Sequence, residues 1–541
     1  MRLKKDSTEQ KLRGAYYTPL QLANAMVRLF VSENISKVLE PSCGDGVFLD
    51  SLAENGLLHK IKELTAIEIE AAEAEKVKKR YAASKSITIL HEDFFDFYKR
   101  CYGREKYDLI LGNPPYIRYQ YLTENQRDIQ SQILRDHGMK SNKLINAWVC
   151  FLVACVQMLA DNGKIAFVIP AEILQVAYAE DLRLFLSNQL SHITLITFEK
   201  LVFPEIEQEV LVFIGEKGGE ENGIRIVEMN DLRGFDTLDL HRNGYQKLHH
   251  VKEKWIKYFL SVDEIKSIQN IRADNRFVKF SDYGLINVGI TTGNNDYFSI
   301  NKKTEDLFDL QSVTLPLIGR SSHAHGIYFT ESDWQANVMA NKKAMLISFP
   351  EIPFEDYPEL HKKYIKKGEN AEKHKGYKCS IRDRWYSVPS IWIPDAFFLR
   401  RNNLYPKFVL NKCRAVSTDT MHRMKFNEGV DAENVLLSYY NSISFAFTEI
   451  CGRSYGGGVL EILPGEMGSI VLPKVEGIDP VFRTSLLERV DTIVRTDGNI
   501  ELALDMVDKE LLVDCLGIEP SLCNICRHIW KKLQQRRLGR G

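Results

Sequence analysis

The chain has 541 residues, 44% of them hydrophobic and 26% charged, and a formal net charge of −1 at pH 7. That is the profile of a globular protein too long for one ordinary domain, and it excludes a polycation. Any nucleic-acid surface must therefore gather its basic residues on one face.

In chain order, the N-terminal "MRLKKDSTEQK" carries charge with no apolar core behind it, unlike a signal peptide. "KVLE" (37–40) reads as a short buried strand, and "GVFLDSLAENG" as a helix ending at Gly56. "LTAIEI" is a second strand, "AAEAEKVKKRYAAS" an amphipathic helix, "SITIL" a third strand and "YDLIL" a fourth. The longest apolar run, "AWVCFLVACVQMLA" (147–160), is too short to span a bilayer and carries Gln157, so it reads as a buried helix. "ADNG" should end it before the strand "KIAFVIP". Then come the helix "AEDLRLFLSNQL" and two last strands, "HITLITF" and "EVLVFIG", which could pair antiparallel at an edge.

Strands alternating with helices predict an α/β fold, a doubly wound and mainly parallel seven-stranded sheet. "GEKGGEENG" (215–223) breaks the rhythm as a linker or hairpin tip. Beyond about residue 240 the βα alternation is gone. The expected division is residues 1–240 and 241–541, the second a mixed α+β domain whose end, from about 480, is helical. The ten cysteines are scattered, which suggests reduced thiols in a cytosolic protein. Cys523 and Cys526 form one CxxC pair with no second pair nearby, weak grounds for zinc, so no metal is expected.

In an open parallel sheet, ligands bind where the carboxyl ends of the strands meet their loops. Strand one is followed by "EPSCGDG", Glu40 to Gly46, whose glycines permit a tight turn and close approach of a ligand. Glu68 ends strand two, where a carboxylate can take both ribose hydroxyls. Asp93 follows strand three beside Phe94, an apolar surface for an adenine ring. Together these point to an adenosine-containing cofactor. Cys43 reads as small rather than nucleophilic. After strand four stand Asn113, Pro114, Pro115 and Tyr116. Two carbonyl acceptors held by prolines, with a flat ring beside them, suit a planar group bearing an NH2.

"EPSCGDG" and "NPPY" in this order resemble the N6-adenine DNA methyltransferases of restriction–modification systems, which have the class I methyltransferase fold and use S-adenosylmethionine. "GAYYTPLQLANAMVRLF" (14–30), ahead of the glycine loop, resembles the gamma arrangement of that family. The resemblance implies that Tyr17 and Thr18 close over the methionine part of the cofactor. Glu40 would sit at its methionine end, with Pro41, Ser42 and Gly44 in the loop beneath. Glu68 would take the ribose and Asp93 the adenine N6, with Ile69 also in the cofactor set. Asn113 and Pro114 would accept the N6–H bonds of a flipped-out adenine. Tyr116 and Phe203, the latter in "FEKLVFPEIEQEVLVFI" (198–214), would stack on its faces.

"NVGITTGNNDYF" (287–298) and "SYGGGVLEILPGEMGSIVLP" (454–473) resemble parts of the family's target-recognition domain. There Arg382, Arg384, Arg400 and Arg401 are candidates to read guanine or hold phosphate of double-stranded DNA. A separately encoded endonuclease is a further expected partner. The same NH2 logic also serves methyltransferases of protein glutamine, RNA bases or cytosine N4. A decayed, DNA-holding relative is a third possibility, but none of its chemical motifs is eroded.

Overall fold

The computed structural model describes residues 17–141, 145–199, 209–219, 222–240, 244–247, 253–455, 457–496 and 498–539. The chain forms two compact units, the first reaching Val262 and the second running from Asp263 to Gly539.

The first unit is built on one sheet. Its elements, in order, are α1 (Leu20–Arg28), β1 (Lys37–Glu40), α2 (Val47–Glu54), β2 (Glu63–Glu68), α3 (Ala71–Arg80), β3 (Ile87–His91), α4 (Phe94–Cys101) and β4 (Tyr107–Gly112). Then follow α5 (Glu124–Asp136), α6 (Ala147–Gln157), β5 (Leu159–Pro170), α7 (Glu180–Gln189), β6 (His192–Phe198), β7 (Val210–Glu216), β8 (Gly223–Met229) and β9 (Gln246–Lys247). The sheet order is β3-β2-β1-β4-β5-β7-β6-β8-β9, so it has nine strands among the described residues rather than the expected seven.

β3, β2, β1, β4 and β5 pair in parallel, and the apolar runs of β1, β2 and β4 are buried on both faces, while β3 at the edge is largely uncovered. β7 is antiparallel to both β5 and β6, but it lies between them and not at an edge. β8 then pairs in parallel with β6 on its far side, so the Gly-rich 215–223 stretch joins strands flanking β6 instead of closing a hairpin. β9 pairs with β8, so the first unit continues past residue 240. Every residue of α6 from Ala147 to Val156 is buried. Among the described residues, no helix is long and apolar enough to cross a membrane.

"ADNG" belongs to a bulged start of β5 and not to a loop. Tyr107 faces Leu159 and Leu109 faces Lys164, leaving residues 160–163 looped between two registers. Gly163 is required there. A Cβ would stand 2.7 Å from the Tyr107 carbonyl oxygen and 2.9 Å from the Ala160 nitrogen, both backbone atoms. Gly163→Ala is expected to destabilise the first unit by about 1–3 kcal/mol, the usual cost of overpacking. A lowered urea midpoint for that unit checks it.

The second unit is mixed. Its five-stranded sheet joins β10 (Gly284–Val288), β11 (Tyr328–Phe329), β12 (Ala396–Leu399), β13 (Phe408–Asn411) and β14 (Met421–Phe426) in the order β10-β14-β12-β13-β11. A four-stranded sheet includes Thr314–Ile318 and Met345–Ile347, packed over a core containing Phe298, Leu346 and Ile365. Helices α8 (Ser442–Cys451), α9 (Pro480–Arg495) and α10 (Pro520–Leu538) make up much of its C-terminal part. α10 is tied to α8 by a buried pair, Arg537 Nη2 to Glu449 Oε1 at 3.0 Å.

Candidate active site

The strand order reverses at β1 and β4: β2 and β3 lie to one side, β5 and the later strands to the other. Such a switch point is where open α/β sheets bind their ligands, beyond the carboxyl ends of the strands. The glycine loop leaves β1 there, and the Asn113–Tyr116 tetrad leaves β4 there.

The loop is held in place by its neighbours. Glu68, at the end of β2, accepts from the Gly44 N–H (2.8 Å) and, through its other oxygen, from the Glu70 N–H (2.8 Å). Gly44 and Gly46 sit at φ +52° and +86°, the left-handed region where a Cβ is strained. At Gly44 a Cβ would also lie 3.3 Å from the Tyr17 ring, so Tyr17 lies over the loop and glycine lets it approach. Thr18 beside it is buried, as are Pro41 and Cys43.

The site is acidic. Glu40 is 1% exposed, and its Oε2 accepts no hydrogen bond among the described residues. Burial first, then the carboxylates of Asp45, Glu68 and Asp50, push its pKa well above the ordinary range. Asp45 is half-buried, its Oδ1 is likewise unpartnered, and burial raises its pKa against the pull of the Val47 N–H and Arg80. Glu68 is raised by burial despite the backbone N–H groups of Glu70, Gly44 and Ile69. Burial, with Glu40 and Glu68 nearby, raises the Cys43 thiol too, so it carries no thiolate for chemistry. A buried carboxylate oxygen without a donor suits a cationic amine, and an acid at the end of β2 suits a diol. These residues therefore fit a cationic, ribose-bearing cofactor.

Ile69, next to Glu68, is 53% exposed and offers an apolar face at the strand ends. Phe94 does not: it is buried, stacked on Phe151 with ring centroids 4.7 Å apart. Asp93 caps α4, its Oδ1 accepting from the Phe95 N–H at 2.8 Å. Its Oδ2 accepts from Gln126 Nε2 at 2.9 Å.

On the β4 side, Ser42 Oγ donates to the Asn113 carbonyl oxygen at 3.3 Å, which joins the tetrad to the glycine loop. Asn113 and Pro115 are partly buried, Pro114 is buried and Tyr116 is 8% exposed. The Tyr116 hydroxyl donates to the Val168 carbonyl on β5 at 3.1 Å. Beyond it, the Ala147 N–H donates to the Ile117 carbonyl, fastening the exit of the tetrad to the start of α6. Phe203 lies outside the described residues.

The sequence reading missed Asp45 and Gln126. The second had a visible signal, since "TENQ" is a capping box in which Thr123 and Gln126 bond reciprocally.

Two family matches cover most of the chain. Residues 19–203 match the Eco57I restriction-modification methylase, and residues 252–512 match the C-terminal domain of the type II methyltransferase M.Eco57I. Among individual relatives, the type II methyltransferase M.AccI of Acinetobacter calcoaceticus is 25% identical over 485 residues, 85% of each chain. The chain belongs to the type II restriction–modification methyltransferases. M.HincII of Haemophilus influenzae is 28% identical over 243 residues, 44% of each chain. The fold is also that of the Type IIL restriction-modification enzyme MmeI, solved in complex with DNA. That likeness has a TM-score of 0.59 at 13% identity and covers 99% of this chain and 78% of that one.

The family's first match thus spans the glycine loop, Glu68, Asp93 and the tetrad, and its second spans the arginines singled out in the second unit. There Arg382 Nη2 donates to the Thr291 carbonyl at 3.1 Å. Arg400 and Arg401 share Glu461 Oε1 at 3.0 and 3.4 Å, although the Arg401 side chain is 72% exposed. The Arg384 side chain has no hydrogen bond or ion pair among the described residues, while its carbonyl accepts from the Ser387 N–H at 3.0 Å. Those residues also contain no cluster of metal-ligating side chains, and all ten cysteines are free thiols.

Proposed function

We propose that this chain is a site-specific DNA methyltransferase that modifies N6 of adenine in double-stranded DNA, as the modification enzyme of a restriction–modification system. One observation carries the reading. An Asn-Pro-Pro-Tyr tetrad is bonded, through the Asn113 carbonyl, to a glycine loop that follows a buried Glu40 whose Oε2 has no partner among the described residues.

S-adenosylmethionine, when bound, supplies a methyl group on a sulfonium. Glu40 would hold its ammonium, Glu68 its ribose and Asp93 its adenine amine, with Ile69 along the adenine ring and Tyr17 and Thr18 covering the methionine end. The amine of adenine is a poor nucleophile because its lone pair is delocalised into the ring. Asn113 Oδ1 and the Pro114 carbonyl would accept both N6–H bonds and favour a pyramidal nitrogen aimed at the methyl group. This is positioning and electrostatic stabilisation.

The base must leave the duplex to reach these groups, which costs a few kcal/mol. Stacking on Tyr116, and on Phe203 from the other side, would offset part of it. The first unit would carry catalysis and the second would read the site. A separately encoded endonuclease and a cytoplasmic location fit this role.

The test is transfer of labelled methyl from S-adenosylmethionine to unmethylated duplexes, followed by digestion to nucleosides. N6-methyladenine supports the reading. Label on cytosine N4 would change the base and keep the mechanism, and no label in DNA would overturn it. Tyr116→Phe keeps the ring and loses the hydroxyl that bonds Val168, so its rate should stay within a few fold of wild type. Tyr116→Ala should lose base capture worth about 1–3 kcal/mol.

A further inference from the structure

The second unit also holds a basic cleft. It has a volume of about 400 Å³ and continues into a smaller one of about 220 Å³, the two sharing Asp296, Ser299 and Lys343. Five cations line it, Arg320, Lys342, Lys343, Lys367 and Lys373, against the single carboxylate of Asp296. His323 in its wall is held neutral, because burial lowers its pKa to about 4. In a chain of net charge −1, this is a local concentration of positive charge.

Beside Lys373 the chain makes one short helical turn, Tyr377–Ser380. Cys379 points inward and is buried, while Tyr377 and Ile381 are 73% and 61% exposed. Four residues apart on a helical turn, they stand on one face. The turn is firmly mounted. Arg382, just after it, donates to the Thr291 carbonyl, and Gly293 sits so close that a Cβ there would be 2.9 Å from Lys378 Cβ. The next residues of that mount, Asn295 and Asp296, line the cleft itself. The turn thus presents two large side chains to solvent, starting four residues after Lys373 of the cationic cleft.

Two exposed side chains of this kind, with Lys378 Nζ 5.8 Å from the centre of the Tyr377 ring, are poorly placed for water alone. They match a polyanion with an apolar, stacked interior. Proteins that bend duplex DNA insert such wedges between base steps while lysines and arginines hold the flanking phosphates. We propose that this surface grips duplex DNA, with Arg320, Lys342 and Lys373 on phosphates and Tyr377 and Ile381 inserted against the bases. The proposal rests on the DNA-methyltransferase reading and adds the contact surface to it.

The test is duplex binding by fluorescence anisotropy across a salt series, on the site mapped by label transfer. Tyr377→Ala and Ile381→Ala should each weaken binding about tenfold, within the worth of one base–aromatic stack. The slope of log K against log salt should stay unchanged, and Tyr377→Trp should restore affinity. Arg320→Gln and Lys373→Gln should each reduce that slope by about one, on cognate and unrelated duplexes alike. Wild-type binding and slope in all four variants, with DNA methylation intact, would overturn the surface and leave the function standing. A lowered slope in the Gln variants with no effect at Tyr377 and Ile381 would overturn the wedge. Failure of the wild-type chain to bind duplex or to transfer methyl would overturn both.

Discussion

Asn113→Ala should lose turnover by about 10²–10³-fold, the usual cost of removing one preorganised group that stabilises developing charge. Cofactor affinity should stay near wild type, and the structure gives the reason. The bond that joins the tetrad to the glycine loop runs from Ser42 Oγ to the backbone carbonyl of residue 113, which alanine keeps. Tyr116 keeps its bond to Val168, and Gly44 keeps its bond to Glu68. The side-chain acceptor goes. The loss should therefore fall on kcat, with little change in the cofactor's Kd, the signature of an interaction made in the transition state. Asn113→Asp retains an acceptor oxygen, so its rate should lie between the two. Single-turnover methyl transfer and calorimetric cofactor titration measure the two quantities separately. An alanine variant that methylates at the wild-type rate would remove Asn113 from the mechanism.

Much of this site is legible in the sequence because its parts are local. A buried parallel strand announces itself as a short apolar run, and the loop after it carries the chemistry. That is why Glu40, Glu68, Asp93 and Asn113 fall at the ends of β1 to β4. The places where the reading differs from the structure depend on contacts distant in sequence. Which strands β7 lies between is decided by pairing with β5 and β6, and nothing in "EVLVFIG" records that. "ADNG" has turn-forming residues, but pairing with β4 draws it into a bulged strand, the tertiary context overriding local preference. Phe94 stands beside Asp93 in sequence, yet its ring is claimed by Phe151. Arg400 and Arg401 of "LRRNN" pair with Glu461, some sixty residues on. An arginine's partner cannot be read from its neighbours.

Glu40 provides the second large effect, because its burial sets stability against binding. Its folded pKa is raised, so the stability linked to it is fully present below the ordinary glutamate value of 4.5. That stability is lost as pH rises from there through the raised value. Asp45 and Glu68 are shifted in the same direction and add to the loss. Without cofactor, the first unit should therefore become less stable as pH climbs out of the acid range. Glu40→Gln should flatten that fall, because a neutral amide has no charge to desolvate. Cofactor binding should respond in the opposite sense. A cationic ammonium beside Glu40 favours the ionised form, so binding should release a proton and tighten as pH rises toward the raised pKa. In Glu40→Gln this dependence should vanish, and affinity should fall by about 2–5 kcal/mol, the cost of truncating one partner of a buried charge pair. Thermal unfolding of the cofactor-free protein across pH, and calorimetry in two buffers of different ionisation enthalpy, read the two halves independently of turnover. A Gln variant with wild-type affinity and wild-type proton release would mean that Glu40 does not face the ammonium. A variant both weaker in binding and more stable at neutral pH would mean that the fold carries a buried, unpartnered carboxylate for the sake of its ligand.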